Sequence, residues 1–263
     1  MKPKCVIKLG GAVITRSDDP AGLDQDVMQR LAGELATLSA RMILVHGTGA
    51  VGKPPAIEHG FVGTAALPVD RAHLACDIHH RLRGLNQAVV ASLLAAGIPA
   101  IGIDPGLLLN GDFNGWRASG CDAFLGDLLE HGVVPVVYGD MIPGPDGVFR
   151  VLSSDVIACR LAIELAADHL IFLSNVPGVF ADGNGGEDGG ILEEVDSATL
   201  ANPGLFGGTD ASDVSEGMGE KLRMAMDAAR HCQSCWIGSG RTPGLVPKFL
   251  ETGEVAGTRV RGN

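Results

Sequence analysis

Only six lysines stand in a chain that carries 14 arginines, and three of the six lie beside glycines: Lys8 in IKLGGAVIT, Lys53 in GTGAVGKPP and Lys221 in EGMGEKLRMA. Arginine carries most of the solubility, so the placement of the lysines is informative. Lys8 falls in an apolar run that reads as a strand buried on both faces, an expensive place for an ammonium without an anion. Gly10 and Gly11 follow at once, and glycines there let backbone N–H groups approach an oxyanion closely. The chemistry implied is the binding of a phosphate or a similar anion. The plainer alternative is a Gly-Gly turn with Lys8 paired to an internal carboxylate, and both stay open at this point. Neither stretch fits the phosphate loop GxxxxGK[ST]. GTGAVG (47–52) fits GxGxxG literally, but as a lone match of low specificity.

The elements that must position these residues alternate between strand and helix. Apolar runs at 6–9, 42–46, 100–103, 133–139, 169–174 and 235–238 read as buried strands. Helical patterns lie between them at 23–38, 70–96, 122–131, 155–166 and 215–231. In the first of these, Leu23, Val27, Leu31 and Leu35 recur at a four-residue step that lines one face. Such alternation implies an α/β fold with a mainly parallel central sheet and helices on both faces. Ligands in such folds collect at the carboxyl ends of the strands. No linker divides the chain, DGVFRVLSS (146–154) suggests a small hairpin, and ADGNGGEDGG (181–190) reads as a solvated loop. The Asp and Asn spacing of that loop is calcium-like, but it lacks the closing Glu and flanking helices of an EF-hand.

Bulk composition narrows the classes. The 263 residues carry a formal net charge of -11 and 4% aromatics, which argues against a nucleic-acid partner. Apolar stretches stop well short of a membrane span, and MKPKCVIKLGG begins as a strand with no signal-peptide core. A soluble cytoplasmic protein is the expectation. The six cysteines, at 5, 76, 121, 159, 232 and 235, lie mostly in apolar segments and read as reduced core thiols. Cys232 and Cys235 form a CxxC without a second pair, so packing is favoured over zinc or redox chemistry.

Seven blocks in the same order give the chain a recognisable likeness: IKLGGAVIT (7–15), VHGTGAVGK (45–53), GVVPVVYGD (132–140), LSSDV (152–156), LSNVPGVF (173–180), SDVSEGMGEKL (212–222) and GTRVRG (257–262). The sequence resembles the amino acid kinase superfamily, and within it the isopentenyl phosphate kinases and the related fosfomycin-resistance kinase. The resemblance implies one three-layer αβα domain over residues 1–263, its N-terminal part binding the acceptor and its part from about residue 150 binding the nucleotide. It also implies ATP with Mg²⁺, a small anionic substrate and a homodimer. Lys8 would sit against the phosphoryl group in transit, Lys221, after the GM turn, would hold ATP phosphates, and Asp155 would orient both lysines. Gly10, Gly11, Ser174, Asn175, Gly178, Gly217 and Met218 would complete the ATP side. Gly47, Thr48, Gly49, Gly52, Lys53 and Asp140 would form the acceptor side, and no residue is assigned to a protein-held metal. Read without the family, Asp155 is a helix N-cap following Ser153-Ser154, and Asp140 a turn residue at a strand end.

The likeness breaks around the phosphates. Isopentenyl phosphate kinases usually read KLGGSVIT with a lysine two residues on, where this chain has Ala12 and Ser17, with Arg16 adjacent. They also read HGxGSFGH, where this chain has Ala50 and Lys53. A cation leaves position 17 and another arrives at 53, which is either relocation of charge, a different acceptor, or drift in an enzyme that has lost catalysis. Retention of Lys8, Asp155 and Lys221 speaks against drift. The segment RAHLACDIHHRLRG (71–84), with His73, Asp77, His79 and His80, does not advertise a pocket for a prenyl chain. Its histidines read as surface residues or a polar pocket wall, not as metal ligands. The leading expectation is phosphoryl transfer from ATP to a phosphate monoester of isopentenyl phosphate type. A phosphonate or antibiotic kinase, a carboxylate kinase forming an acyl phosphate, and a non-enzymatic nucleotide- or anion-storage protein are the alternatives.

Overall fold

A computed structural model describes residues 2–16, 22–59, 71–108, 121–143, 149–182, 190–201, 214–254 and 256–262, with the backbone alone at 121–122 and 214–217. The strands are β1 (Lys4–Leu9), β2 (Arg41–His46), β3 (Ala100–Gly102), β4 (Val134–Tyr138), β5 (Asp140–Pro143), β6 (Phe149–Leu152), β7 (His169–Ser174), β8 (Glu194–Val195), β9 (Ser234–Ser239) and β10 (Thr258–Val260). The helices are α1 (Gly11–Ile14), α2 (Gln25–Ala36), α3 (Gly49–Glu58), α4 (Ala72–Ala95), α5 (Cys121–Glu130), α6 (Ser154–Glu164), α7 (Ser197–Leu200), α8 (Val214–Ala229) and α9 (Leu245–Thr252). Eight strands form one sheet in the order β3-β4-β2-β1-β7-β9-β10-β8, and only β9 and β10 pair antiparallel. β5 and β6 form a separate hairpin. Every strand read from the sequence is present. The two-residue β8 and three-residue β10 escaped because so few residues show no period, and α9 escaped because Pro247 interrupts a short apolar stretch.

Two apolar layers sandwich the sheet. Cys5, Ile7 and Leu9 of β1 pack on one side with α2, α4 and α9, through Leu31, Ile78, Leu82 and Phe249 among others. Val6 packs on the other with α5, α6 and α8, through Leu125, Ile157, Leu161 and Leu222. Side chains alternate along a strand, so Lys8 shares the face of Val6 and is aimed at the helix that carries Asp155. β1 is central, paired in parallel with β2 on one side and β7 on the other. The chain leaves it in opposite directions, which opens a crevice at its carboxyl end. That crevice is where the glycines of β1 and β2 turn into helices.

The same alternation buries a histidine. His46 follows Met42 and Leu44 on the α4 side of β2 and is fully enclosed. Its Nδ1–H donates to the Gly47 carbonyl (3.1 Å), and its Nε2 accepts from the Asn86 amide (3.2 Å), which also donates to the Val136 carbonyl (3.2 Å). The ring stacks on Tyr138 at 5.6 Å. Burial pulls the imidazole down to about 4, the Gly47 carbonyl opposing and Lys8 assisting. The unfolded chain therefore takes up this proton first. The stability contributed by neutral His46 is complete above about pH 6.5 and is lost as the pH falls towards 4. The loss amounts to roughly 3 kcal/mol over that window. Urea unfolding should show the stability difference between the wild type and a His46→Asn variant shrinking by about that amount between pH 6.5 and 4, a comparison in which the other titrating groups cancel.

Candidate functional site

Three residues expected to act together do meet. Lys8 Nζ lies 2.9 Å from one oxygen of Asp155, and Lys221 Nζ lies 3.8 Å from the other. Lys8 comes from β1 and Asp155 from the first turn of α6, while Lys221 comes from the second turn of α8. Asp155 is not the cap of α6. Ser153 holds that place and its Oγ accepts the Asp155 N–H (3.3 Å), which frees the carboxylate for the lysines. Burial pushes the Asp155 carboxyl up, but Lys8, Lys221 and the more distant Lys53 outweigh it and hold it below the usual carboxylate range. Burial lowers Lys221, Asp155 opposes that, and Lys8 and Lys53 lower it further. Two largely buried ammonium groups and the exposed Lys53 thus act on one carboxylate, leaving an excess of positive charge. Such a cluster is complete only with an anion.

Bare backbone lines the crevice beside it. A Cβ on Gly11 would lie 2.2 Å from the Gly49 nitrogen, and one on Gly47 would lie 2.6 Å from the Gly11 nitrogen. The turns after β1 and β2 can meet this closely only as glycine. Thr15, buried at the end of α1, joins them: its hydroxyl donates to the Gly11 carbonyl (2.8 Å) and accepts the Ala50 N–H (2.9 Å). The glycine stretch is shorter as a loop than expected. Gly47 and Thr48 turn the chain, Gly49 has a left-handed φ of 51°, and Gly52 and Lys53 belong to α3. The GMGEK segment is helix throughout, as the pattern over 215–231 predicts, so Gly217 and Met218 lie within α8 and the GM turn that the resemblance implies is helix instead. Arg241 adds a bond from its guanidinium to the Ala12 carbonyl (3.0 Å), bracing α1 from the end of β9.

Beyond Lys53 opens a cavity of about 300 Å³. Thr48, Gly52, Lys53, Ser153 and Ser154 form its polar part, and Ala56, Ile57, Ile78, Leu82, Met141 and Val151 line the remainder. The pocket is mostly apolar, contrary to the reading of 71–84. The polar residues that dominate that segment do not line the cavity, and Ile78 and Leu82, four apart on α4, are the pair that does. Asp140 begins β5 and is no turn residue. It lies on the cavity wall fully buried, with Oδ1 accepting the Met141 N–H (2.7 Å) and Oδ2 paired to His79 Nδ1 (2.8 Å). Burial pushes its carboxyl up to about 7, with His79 and the Met141 N–H pulling it down.

On the opposite side of β1, Ser174 ends β7 buried, and Asn175 is exposed just beyond it. Gly178 packs against Ile191 and Thr258. Met218, within α8, packs against the apolar layer on the α6 and α8 side of the sheet. Among the described residues no group of three His, Cys, Asp or Glu side chains could hold a metal. Cys5, Cys159 and Cys235 are buried and free as expected, whereas Cys76 is exposed on α4.

Residues 3–239 match the amino acid kinase family. The chain belongs to the amino acid kinase family. It is 32% identical to isopentenyl phosphate kinase from Methanothermobacter thermautotrophicus over 98% of both chains. It is 32% identical to the isopentenyl phosphate kinase of Haloferax volcanii over 92% of this chain and 97% of that one. An isopentenyl phosphate kinase crystal structure superposes with a TM-score of 0.79 at 28% identity, covering 98% of this chain and 99% of the other. N-acetylglutamate synthase from Neisseria gonorrhoeae shares the fold alone, at 16% identity and a TM-score of 0.61 over 99% of this chain and 60% of that one.

Within this family member the Lys8–Asp155–Lys221 cluster is the electrostatic centre. Removing its single carboxylate leaves two half-desolvated ammonium groups without a counter-charge. Asp155→Asn should therefore cost about 3 kcal/mol of stability in the absence of ligand. Urea denaturation in a buffer free of phosphate and nucleotide measures it.

Proposed function

We propose that this kinase transfers the γ-phosphoryl group of ATP to the phosphate of an acceptor of isopentenyl phosphate type. The observation that carries the reading is the juxtaposition of the lysine cluster with a largely apolar cavity whose mouth holds Lys53. An anionic head and a hydrocarbon tail fit that pairing. The polar backbone of an amino acid suits it poorly, which favours a phosphate monoester over a carboxylate acceptor. Near-full-length likeness to isopentenyl phosphate kinases supports the same choice.

ATP, arriving with Mg²⁺, supplies the phosphoryl group and a leaving group whose charge the metal offsets. Asp155 is committed to two lysines, so the metal is best held by the nucleotide's own phosphates rather than a protein cage. Lys221 faces the donor phosphates, Lys8 lies between donor and acceptor turns, and Asp155 fixes both ammonium groups. Gly10 and Gly11 offer N–H groups on the donor side, and Gly47 and Gly49 on the acceptor side. Phosphoryl transfer depends on such positioning and charge compensation, with little covalent help from the protein. An acceptor phosphate is already ionised near neutral pH, so no general base is needed. Most acceptor-side residues thus precede about residue 150 and Lys221 follows it, while Gly10 and Gly11 on the donor side and Val151, Ser153 and Ser154 on the cavity wall cross that division.

An exposed edge supports the homodimer. β3 closes the sheet with Ile101 exposed, beside the exposed Leu94 and Leu107, and a second copy of the chain is the occupant we assign to it. Sedimentation should give twice the monomer mass.

Acceptor-dependent ADP release tests the whole reading. Isopentenyl phosphate should be turned over faster than fosfomycin or simple carboxylates. No turnover with any phosphate or phosphonate, while ATP demonstrably binds, would sink the proposal. Lys53→Ala should raise the acceptor KM by about 10- to 100-fold, the value of one or two charge-assisted hydrogen bonds, and the ATP KM by less than about threefold. An unchanged acceptor KM would remove Lys53 from the site.

A further inference from the structure

The two glycine turns meet as bare backbone, and one side chain touches both. Thr15 Oγ1 donates to the Gly11 carbonyl on one side and accepts the Ala50 N–H on the other, at 2.8 and 2.9 Å. The two bonds differ in what depends on them. Gly11 O already accepts the Thr15 backbone N–H at 2.9 Å, so α1 closes its single turn without the hydroxyl. α3 has less in reserve, with the Gly52 N–H bonding the Thr48 carbonyl at 3.2 Å. It starts from a glycine in the left-handed region, its cap residue Thr48 makes no side-chain bond, and Pro54 and Pro55 remove the N–H groups that would bond the Ala50 and Val51 carbonyls. The first turn of α3 is thus poorly supported from within and is tied from outside by one hydroxyl. Gly52 and Lys53, which line the acceptor cavity, ride on that turn.

We infer that Thr15 is a positioning residue for phosphoryl transfer: its hydroxyl sets the distance between the β1 turn on the donor side and the α3 turn on the acceptor side. The inference rests on the kinase reading above. Each half of the site can bind its own ligand without this bond, because each half keeps its own lysines and glycines. Transfer needs both halves at one separation, and a misplacement of about 1 Å can cost about 100-fold in rate. The role belongs to the hydroxyl, since valine keeps the β-branched shape that suits this extended position (φ -123°, ψ 151°).

The test compares Thr15→Val with Thr15→Ser. For Thr15→Val, kcat should fall by about 10- to 100-fold. Separate calorimetric titrations with ADP and with isopentenyl phosphate should give dissociation constants within about threefold of the wild type. Thr15→Ser, which keeps the hydroxyl, should hold kcat within about threefold. Circular dichroism of each variant fixes the folded fraction. Should Thr15→Val fail to fold, Thr15→Cys takes its place, because a thiol is a weak donor and acceptor in nearly the shape of serine. A valine or cysteine variant with near-wild-type kcat overturns the inference. So does a loss of kcat matched by equal losses of ligand binding, or a serine variant no better than valine, since each would mark a merely structural role. A wild type that turns over no acceptor strikes the kinase reading instead, and leaves a different signature.

Discussion

Everything at this site depends on one carboxylate holding two ammonium groups where water is scarce. Lys8 and Lys221 come from elements separated by most of the chain, and mutual repulsion would drive them apart if Asp155 did not lie between them. The attraction is larger there than at the surface, because the local dielectric is low. Yet one negative charge against two, with Lys53 near enough to be felt by both partners, leaves the cluster short of anion. That deficit is the physical content of the phosphate site proposed here. It explains why Asp155 must stand one residue inside α6 with Ser153 taking the cap, since a capping carboxylate would be spent on backbone N–H groups.

The sheet supplies what the cluster cannot. Alternation along β1 turns Lys8 towards α6 while Ile7 and Leu9 anchor the strand in the opposite layer. Along β2 the same alternation turns His46 into the α4 layer, where its neutral ring bonds the Gly47 carbonyl. A cation on one face and a neutral histidine on the other therefore border the same crevice from adjacent strands. Lys8 assists burial in keeping His46 uncharged, so the two faces are coupled electrostatically through the sheet.

The strands and the lysine set were legible in the sequence because both rest on strong local signals. Buried parallel strands read as unbroken apolar runs, and an ammonium inside such a run demands an explanation. His46 offered the same signal, a polar residue inside MILVH, and the logic applied to Lys8 would have found it. The glycine-rich segments misled in the opposite direction. Glycine and proline mark turns as a rule, but Gly52 lies in α3, where a side chain would meet Thr48 and Leu82. The apolar cavity was illegible for a different reason. Its lining comes from α3, α4 and the β5–β6 hairpin at once, and no single segment contributes more than a few residues. Ile78 and Leu82 are a minority in a polar-looking helix until the fold shows which face they occupy.

The pairing of His79 with Asp140 shows where the acceptor side departs from a simple greasy pocket. A buried carboxylate on an apolar wall is costly, and a histidine at 2.8 Å offsets only part of that cost, which is why the carboxyl is pushed up to about 7. His79 and the Met141 N–H are the groups that pull it back down. An uncompensated negative charge beside an acceptor phosphate would oppose the lysines, and the pairing with His79 offsets it. His79 also ties α4 to the start of the hairpin, so the wall carrying Met141 and Val151 is held against the wall carrying Ile78 and Leu82. The shape of the cavity and the charge at its side are therefore set by one contact, just as the lysines' spacing is set by Asp155.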